Sequence, residues 1–224
     1  MSPEHAIPAP RITWFMVLVN YYPSLFLLAG GLLVFLPSMS ISSRIALGVF
    51  WIYLLPPLLC RLALGLWGYP LAAATIPRSG TYQLWWFLTQ VQMLFNRIGA
   101  LEEILRLLPG MYGLWLNLWG SSVSLLAYWG PGVLVTDRYL VKIGRGVVLG
   151  SRCLIGSHLI THTEEGDYRL TVAWVRIDAG AIVSTQAAIG PGCHIVGNEL
   201  LPAGRLLPPF TTWKAGKKFR ENIT

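Results

Sequence analysis

Ile143-Gly-Arg-Gly-Val-Val-Leu-Gly-Ser-Arg-Cys-Leu-Ile-Gly-Ser-His158 is the stretch that decides the fold of this chain. An aliphatic residue stands at every sixth position: Ile143, Leu149, Ile155. The rhythm resumes at Ile177 and continues through Val183, Ile189, Ile195, Leu201 and Leu207. A small or turn-forming residue usually follows, as at Gly144, Gly150, Gly190, Pro202 and Pro208. A period of six is neither the 3.6 of a helix nor the 2 of a simple strand. It predicts a parallel β-helix whose coils have three flat sides of six residues. Each aliphatic side chain points inward onto its equivalent one coil away, and the small residue after it lets the backbone turn the corner. Ile155 and Ile177 lie 22 positions apart, four more than three hexads, so an insertion interrupts one coil. Its expected place is Thr163 to Arg169.

The sequence ahead of the repeats is of another kind. The chain of 224 residues is 54% hydrophobic and only 12% charged, with a mean hydropathy of +0.55. Ordinary soluble domains carry about a quarter charged residues. Thr13 to Leu36 holds no charge at all, and Ile45 to Trp67 holds only Arg61. Each is long enough for a bilayer core of about 30 Å. A short turn, Pro37 to Arg44, joins them. The reading is a transmembrane helical hairpin over residues 13–67, after a tail of residues 1–12. A cleaved signal peptide fits less well, because the first apolar run exceeds an h-region and no small-residue cleavage site follows it. All but three of the 17 Lys and Arg (Arg11, Arg44 and Arg61) lie from Arg78 onward. The positive-inside tendency then puts the repeats in the cytoplasm, with the hairpin in the inner membrane and lipids as partners.

Residues 77–132 read as interfacial amphipathic helices. Tyr82 to Leu108 is rich in apolar residues, with Trp85 and Trp86 at headgroup depth. Packing onto the end of the β-helix is the rival reading. Residues 133–212 form the β-helix and residues 213–224 a basic tail. The net charge of +7 suits an anionic membrane surface or an anionic ligand. No nucleic-acid-binding motif is present, and nucleic acid is not expected as a partner. Cys60, Cys153 and Cys193 are widely spaced and read as small buried residues in a reducing compartment.

A β-helix has no chemistry of its own, so the histidines come next. His5 is in the tail; His158 and His162 flank Leu-Ile-Thr; His194 follows Gly-Pro-Gly-Cys. His162 stands where the chain enters the predicted insertion. The repeats from Ile143 to His158, the His162 loop and Ile189-Gly-Pro-Gly-Cys-His-Ile195 resemble the hexapeptide-repeat acyltransferases, a left-handed β-helix superfamily. The resemblance implies that His162 is the general base, with His158 in support. It also implies a thioester donor, either coenzyme A or an acyl carrier protein, and a homotrimer. Glu164, Glu165 or Asp167 would orient the His162 ring or form a solvated loop face. Lys214, Lys217 and Lys218 would hold coenzyme A phosphates, grip anionic lipid headgroups or simply solubilise the tail. Upstream, Pro77-Arg-Ser-Gly-Thr-Tyr, Leu84-Trp-Trp, Leu116-Asn-Leu-Trp-Gly and Asp137-Arg-Tyr-Leu-Val-Lys-Ile-Gly144 look like the membrane C-terminal region of poly-lysine-synthetase-type enzymes.

The expected whole is an α+β chain: a transmembrane hairpin, interfacial helices, then a left-handed parallel β-helix. The expected function is membrane-anchored acyl transfer to a hydroxyl or amine, with no metal. Two alternatives come from other classes. One is a γ-type carbonic anhydrase with His158, His162 and His194 on zinc. The other is a non-enzymatic membrane scaffold.

Overall fold

The computed structural model describes residues 12–35, 38–162 and 168–220. The first apolar helix starts at Thr13, whose hydroxyl accepts from the Met16 N–H at 3.3 Å. It runs as α1 (Trp14–Val19) and α2 (Tyr22–Val34). The second runs as α3 (Ile41–Val49), a π-helical turn (Phe50–Leu54) and α4 (Leu55–Trp67), ending at Gly68 with φ +77°. The two helices span 21 and 27 residues, long and apolar enough to cross a membrane. Most of their side chains face outward, among them Leu25, Leu28, Leu32, Leu62 and Leu66. Their other side joins the core, where Met16, Phe26, Cys60, Ala63 and Leu64 are buried. The π turn precedes Pro56-Pro57, where Pro57 has no N–H for the Tyr53 carbonyl. The Trp115 indole supplies the missing donor at 2.8 Å.

Strand β1 (Ala72–Thr75) follows, then α5 (Gly80–Arg97), α6 (Ala100–Arg106) and α7 (Met111–Trp119). Ser79 caps α5 by accepting from the Tyr82 N–H at 3.1 Å. α5 buries Trp85, Leu88, Val91 and Phe95, and α7 buries Tyr112, Trp115, Leu116 and Trp119. Edge-to-face pairs such as Phe95–Trp115, 4.7 Å between centroids, bind the two helices. α5 and α7 lie between α4 and the β-helix: α4 touches both, and α7 touches the first coil. α5 packs against α1, α2 and α4 and meets the corner between the first and second coils through Gln92 and Asn96, which bond Arg138. α6, α7 and the turn between them keep an exposed apolar side, with Ile104, Leu107, Leu108 and Leu114.

Four coils then stack. The first is β2 (Ser122–Val123), β3 (Tyr128–Trp129) and β4 (Leu134–Val135). The second is β5 (Val141–Ile143), β6 (Val148–Leu149) and β7 (Leu154–Ile155). A hairpin, β8 (His158–His162) and β9 (Tyr168–Val172), intervenes. The third coil is β10 (Val175–Ile177), β11 (Ile182–Val183) and β12 (Ala188–Ile189). The fourth is β13 (His194–Ile195), β14 (Leu200–Leu201) and β15 (Leu206–Leu207). β16 (Thr211–Lys214) opens a fifth, and β17 (Lys217–Arg220) folds back antiparallel on it. Three parallel sheets result: β2-β5-β10-β13-β16, β3-β6-β11-β14 and β4-β7-β12-β15.

The hexad residues form the inward columns. In the first sheet Val123, Ile143, Ile177, Ile195 and Trp213 lie in register and are buried. Each fully buried aliphatic side chain contributes about 1.5–3 kcal/mol. The small residue after it is needed as well. A Cβ on Gly150 would lie 2.6 Å from the Thr185 nitrogen of the next coil, and one on Gly144 would collide with the Ala179 nitrogen.

Three boundaries differ from the sequence expectation. The coils begin at Ser122, not at residue 133, because the first coil has Trp129 at an inward place where an aliphatic count skips it. The basic tail is not separate, since Trp213 continues an inward column and β17 pairs with β16. The 22-residue interval is not three hexads plus four. β7 and β10 lie on adjacent sides, one step of six, so 22 − 6 leaves sixteen extra residues at a single corner. They form the β8–β9 hairpin, and β1 pairs with β9 as a third strand.

Candidate active site

The inward column steps by six everywhere except at one corner, between the third sheet and the first. In the first coil Val135 and Ile143 are eight apart, and the excess carries Asp137 and Arg138. In the second coil the same corner carries the hairpin that opens with His158. Stacking puts the two irregular corners together. The Asp137 carboxylate, fully buried, meets His158 Nδ1 through Oδ2 at 2.7 Å. The same oxygen accepts from the Thr136 hydroxyl at 2.8 Å.

Backbone and side-chain bonds fix both corners. The Ser157 hydroxyl donates to the Leu140 carbonyl at 3.1 Å, and the Ala173 N–H closes the hairpin mouth on the Ser157 carbonyl at 2.9 Å. The Ser121 hydroxyl donates to the Arg138 carbonyl at 2.7 Å. From the helical side, Gln92 on α5 accepts from the Arg138 N–H at 2.7 Å. The buried Arg138 guanidinium reaches Glu102 at 2.7 Å and Asn96 at 2.8 Å. Tyr112 also donates to Glu102, at 3.1 Å. The residue after Asp137 is therefore clamped by α5 and α6.

The His158 ring lies against Trp85, 4.9 Å between centroids, and its side chain is 25% exposed. With Nδ1 turned to the carboxylate, Nδ1–H donates and Nε2 keeps its lone pair. Nε2 has no hydrogen-bond partner among the described residues. Burial is the largest influence on this imidazole and lowers its pKa, but the charge and hydrogen bond of Asp137 together prevail, and the pKa is raised. The arrangement leaves Nε2 as a ring nitrogen able to take a proton, with the buried carboxylate placed to hold the tautomer.

Of the residues expected from sequence, His158 stands at this corner and the others fall elsewhere. His162 is exposed on β8, its ring 6.5 Å from that of Tyr168, and its side chain makes no hydrogen bond to the described residues. Glu164, Glu165 and Asp167 lie outside the described residues. His194 pairs with Asp178, Nε2 to Oδ2 2.8 Å, on the outer face of the first sheet. Arg176 holds the other Asp178 oxygen at 2.7 Å. No three His, Cys, Asp or Glu gather around a metal-sized point among the described residues, and His158, His162 and His194 stand apart. Lys214 and Lys217 face one another across β16–β17 and are exposed; Lys218 is opposite Trp213. Asp137 and Trp85 were not singled out for the site from sequence. The eight-residue step from Val135 to Ile143 was the one signal for Asp137.

An apolar cavity of about 570 Å3 opens where the ends of the two apolar helices meet α5. Phe15, Trp67, Tyr69, Leu84 and Phe87 line it. Tyr69 ties it to the site region, 5.1 Å from the Trp174 ring and 6.5 Å from that of Tyr139.

No family model matches this sequence, and no curated protein matches it. Solved structures do. One is the hexapeptide-repeat-containing acetyltransferase of Vibrio cholerae O1 biovar eltor, complexed with acetyl coenzyme A. It is 13% identical, covering 55% of this chain and 82% of that one, with a TM-score of 0.35. Another is the serine acetyltransferase of Neisseria gonorrhoeae in complex with serine: 17% identical, 92% and 85% covered, TM-score 0.27. Serine acetyltransferase isoform 3 of Entamoeba histolytica, in complex with cysteine, is 11% identical, 80% and 66% covered, TM-score 0.19. At these scores the chemistry has to be read from this chain's own atoms.

Proposed function

We propose that this protein is a membrane-anchored acyltransferase in which His158, oriented by Asp137, is the general base. The observation that carries the reading is the His158–Asp137 pair, built at the irregular corner with Nε2 free. The donor is a thioester, of coenzyme A or of a carrier protein's phosphopantetheine. The acceptor is a hydroxyl or amine of a membrane-associated molecule. His158 Nε2 takes the acceptor proton as its oxygen or nitrogen attacks the thioester carbonyl carbon. The tetrahedral intermediate collapses with cleavage of the C–S bond, and the imidazolium returns the proton to the departing thiolate. The products are the acylated acceptor and a free thiol. Asp137 keeps the tautomer and stabilises the imidazolium between the two transfers. No step requires a metal.

The membrane part of the reading rests on the two outward-facing apolar helices. Trp14 and Trp67, both exposed, stand at the start of the first and the end of the second, as interfacial tryptophans do. Phe15 and Trp67 line the same cavity, which supports a hairpin with both ends on the β-helix side. Charge bias assigns that side to the cytoplasm, and the cavity suits the hydrocarbon part of an acceptor drawn from the bilayer. A homotrimer is supported by the outer faces of two sheets, which carry Tyr128, Val148, Ile182 and Leu200 on one and Leu134, Leu154 and Leu206 on the other.

The test is thiol release from acyl-coenzyme A and acyl-carrier thioesters, with a membrane lipid extract, by detergent-solubilised wild type and His158→Ala. Turnover that collapses in the variant while the fold and oligomer persist supports the reading. Equal release from both proteins sinks His158 as the base.

A further inference from the structure

Arg61 is the one charged residue between Ile45 and Trp67, on a helix where Leu58, Leu62 and Leu66 are exposed. It lies six residues before Trp67, about 9 Å along the axis from that end. A cation so placed in a membrane span is costly unless something meets its charge. Among the described residues no carboxylate does.

The structural role open to Arg61 is to cap α7, whose C-terminal end it faces. Other donors already serve that end. The Gly120 N–H turns back to the Asn117 carbonyl at 3.2 Å. The Cys60 thiol reaches the Trp119 carbonyl at 3.6 Å, and the Tyr69 hydroxyl donates to the Gly120 carbonyl at 3.1 Å. Arg61 adds a single contact, Nη2 to the Asn117 carbonyl at 3.5 Å, at the limit of a hydrogen bond. Most of its five N–H donors are left for another molecule.

The surroundings choose that molecule. The guanidinium is exposed beside lipid-facing leucines, at a depth from which a long side chain reaches the headgroup level. Its planar fork matches the oxygens of a phosphate. Tyr69 joins it to the apolar cavity. The place a Cβ would take on Gly120 lies 3.2 Å from the Tyr69 hydroxyl and 3.7 Å from Arg61 Nη1, and Tyr69 lines the cavity with Phe15, Trp67, Leu84 and Phe87. A soluble phosphate has no use for such a cavity, whereas a lipid engages both parts. The place also adjoins the His158 corner. Ser121, next after Gly120, holds the Arg138 carbonyl, and the Tyr69 ring meets those of Trp174 and Tyr139.

We propose that Arg61 holds the phosphate of an anionic lipid whose hydrocarbon chain lies in the cavity across Tyr69, on the membrane side of the His158–Asp137 corner. The inference rests on the membrane and acyl-transfer readings and narrows the acceptor to phosphate-bearing lipids.

The experiment places the full chain in phosphatidylcholine nanodiscs with a trace of pyrene-chain lipid. Energy transfer from tryptophan to pyrene reports which lipid the protein gathers. Pyrene-phosphatidic acid should be gathered at least about fivefold over pyrene-diacylglycerol, which lacks the phosphate. Arg61→Gln should abolish the preference. Gly80 lines the cavity and has open space for a Cβ, so Gly80→Leu should fill it and weaken gathering at least about threefold. Arg145→Gln, an exposed cation of the second coil, should change it by less than about twofold. Thermal melts check that each variant is folded. No preference in the wild type, the same preference in Arg61→Gln, or an equal loss in Arg145→Gln overturns the proposal. Full competition by water-soluble glycerol phosphate also overturns it, making a free phosphate the ligand. A chain that does not float with vesicles in the absence of detergent sinks the membrane reading itself; one that floats without lipid preference sinks this inference alone. If the Arg61-dependent preference is found and no thioester is consumed, the lipid site stands and the acyl-transfer reading fails.

Discussion

The same two residue types pair twice in this β-helix, with opposite surroundings. His158 meets Asp137 at 2.7 Å and His194 meets Asp178 at 2.8 Å. Asp137 is buried at an irregular corner, its partner ring under Trp85. Asp178 is partly exposed on a regular face and shares its charge with Arg176. Among the described residues the first carboxylate has the imidazole as its one cationic partner, and the second also holds Arg176. A His–Asp distance therefore says little about chemistry. Burial, the second partner and the freedom of the remaining nitrogen decide it.

The largest expected effect comes from breaking the buried pair. His158→Ala should lower kcat by about 10²–10⁴-fold, the usual worth of a general base. His162→Ala should cost far less; the reverse order, measured as thiol release, would return the base to the hairpin. Next comes the clamp behind Asp137. Glu102→Gln leaves the buried Arg138 guanidinium without its charge partner, and should destabilise the protein by about 3–5 kcal/mol in denaturant titrations.

A pH profile sharpens the contrast further. The base must be neutral, and the His158 pKa is raised, so kcat/KM should fall as pH drops through a value above the ordinary 6.5. Asp137→Asn should move that limb downward. In stability the sign is opposite. The pair contributes fully below the unfolded imidazole value, about 6.5, and the contribution is lost as pH rises through the folded value. For Asp178, burial raises the pKa, but the hydrogen bonds and charges of His194 and Arg176 outweigh it, and the net shift is down. That contribution is present above the unfolded value and lost as pH falls through the folded one. Asp178→Asn is the smallest effect, at most about 1 kcal/mol at neutral pH, as for exposed pairs.

The inward columns were legible in the sequence because each hexad obeys a local rule, one aliphatic and one small residue per side. The first coil was not, because Trp129 fills an aliphatic's place. Neither was the hairpin's seat. Leu159, Ile160, Leu170 and Val172 of β8 and β9 imitate the apolar residues of the strands around them, so the 22-residue interval reads as whole hexads with a remainder. The reading of the candidate site depends on where that interval is placed. His162 stands nearer the loop in sequence, but Asp137 and His158, 21 positions apart, become neighbours only once both irregular steps fall on one corner. Such a coincidence belongs to the stack and to no local segment of the chain. The helical cap was half legible: its apolar residues announced a buried surface but not whether lipid or protein would cover it.

The reversal at Ala215–Gly216 has a consequence for how copies of the chain can meet. A stack of parallel coils is open-ended, and its last strand is a template onto which another copy could add coils without limit. Here β17 occupies that edge in the antiparallel sense and lines it with Lys217, Lys218 and Arg220. Neighbouring molecules meet a charged stopper in place of a vacant ladder. The first sheet thus ends on a reversed, charged strand and not on a ladder ready to take another coil.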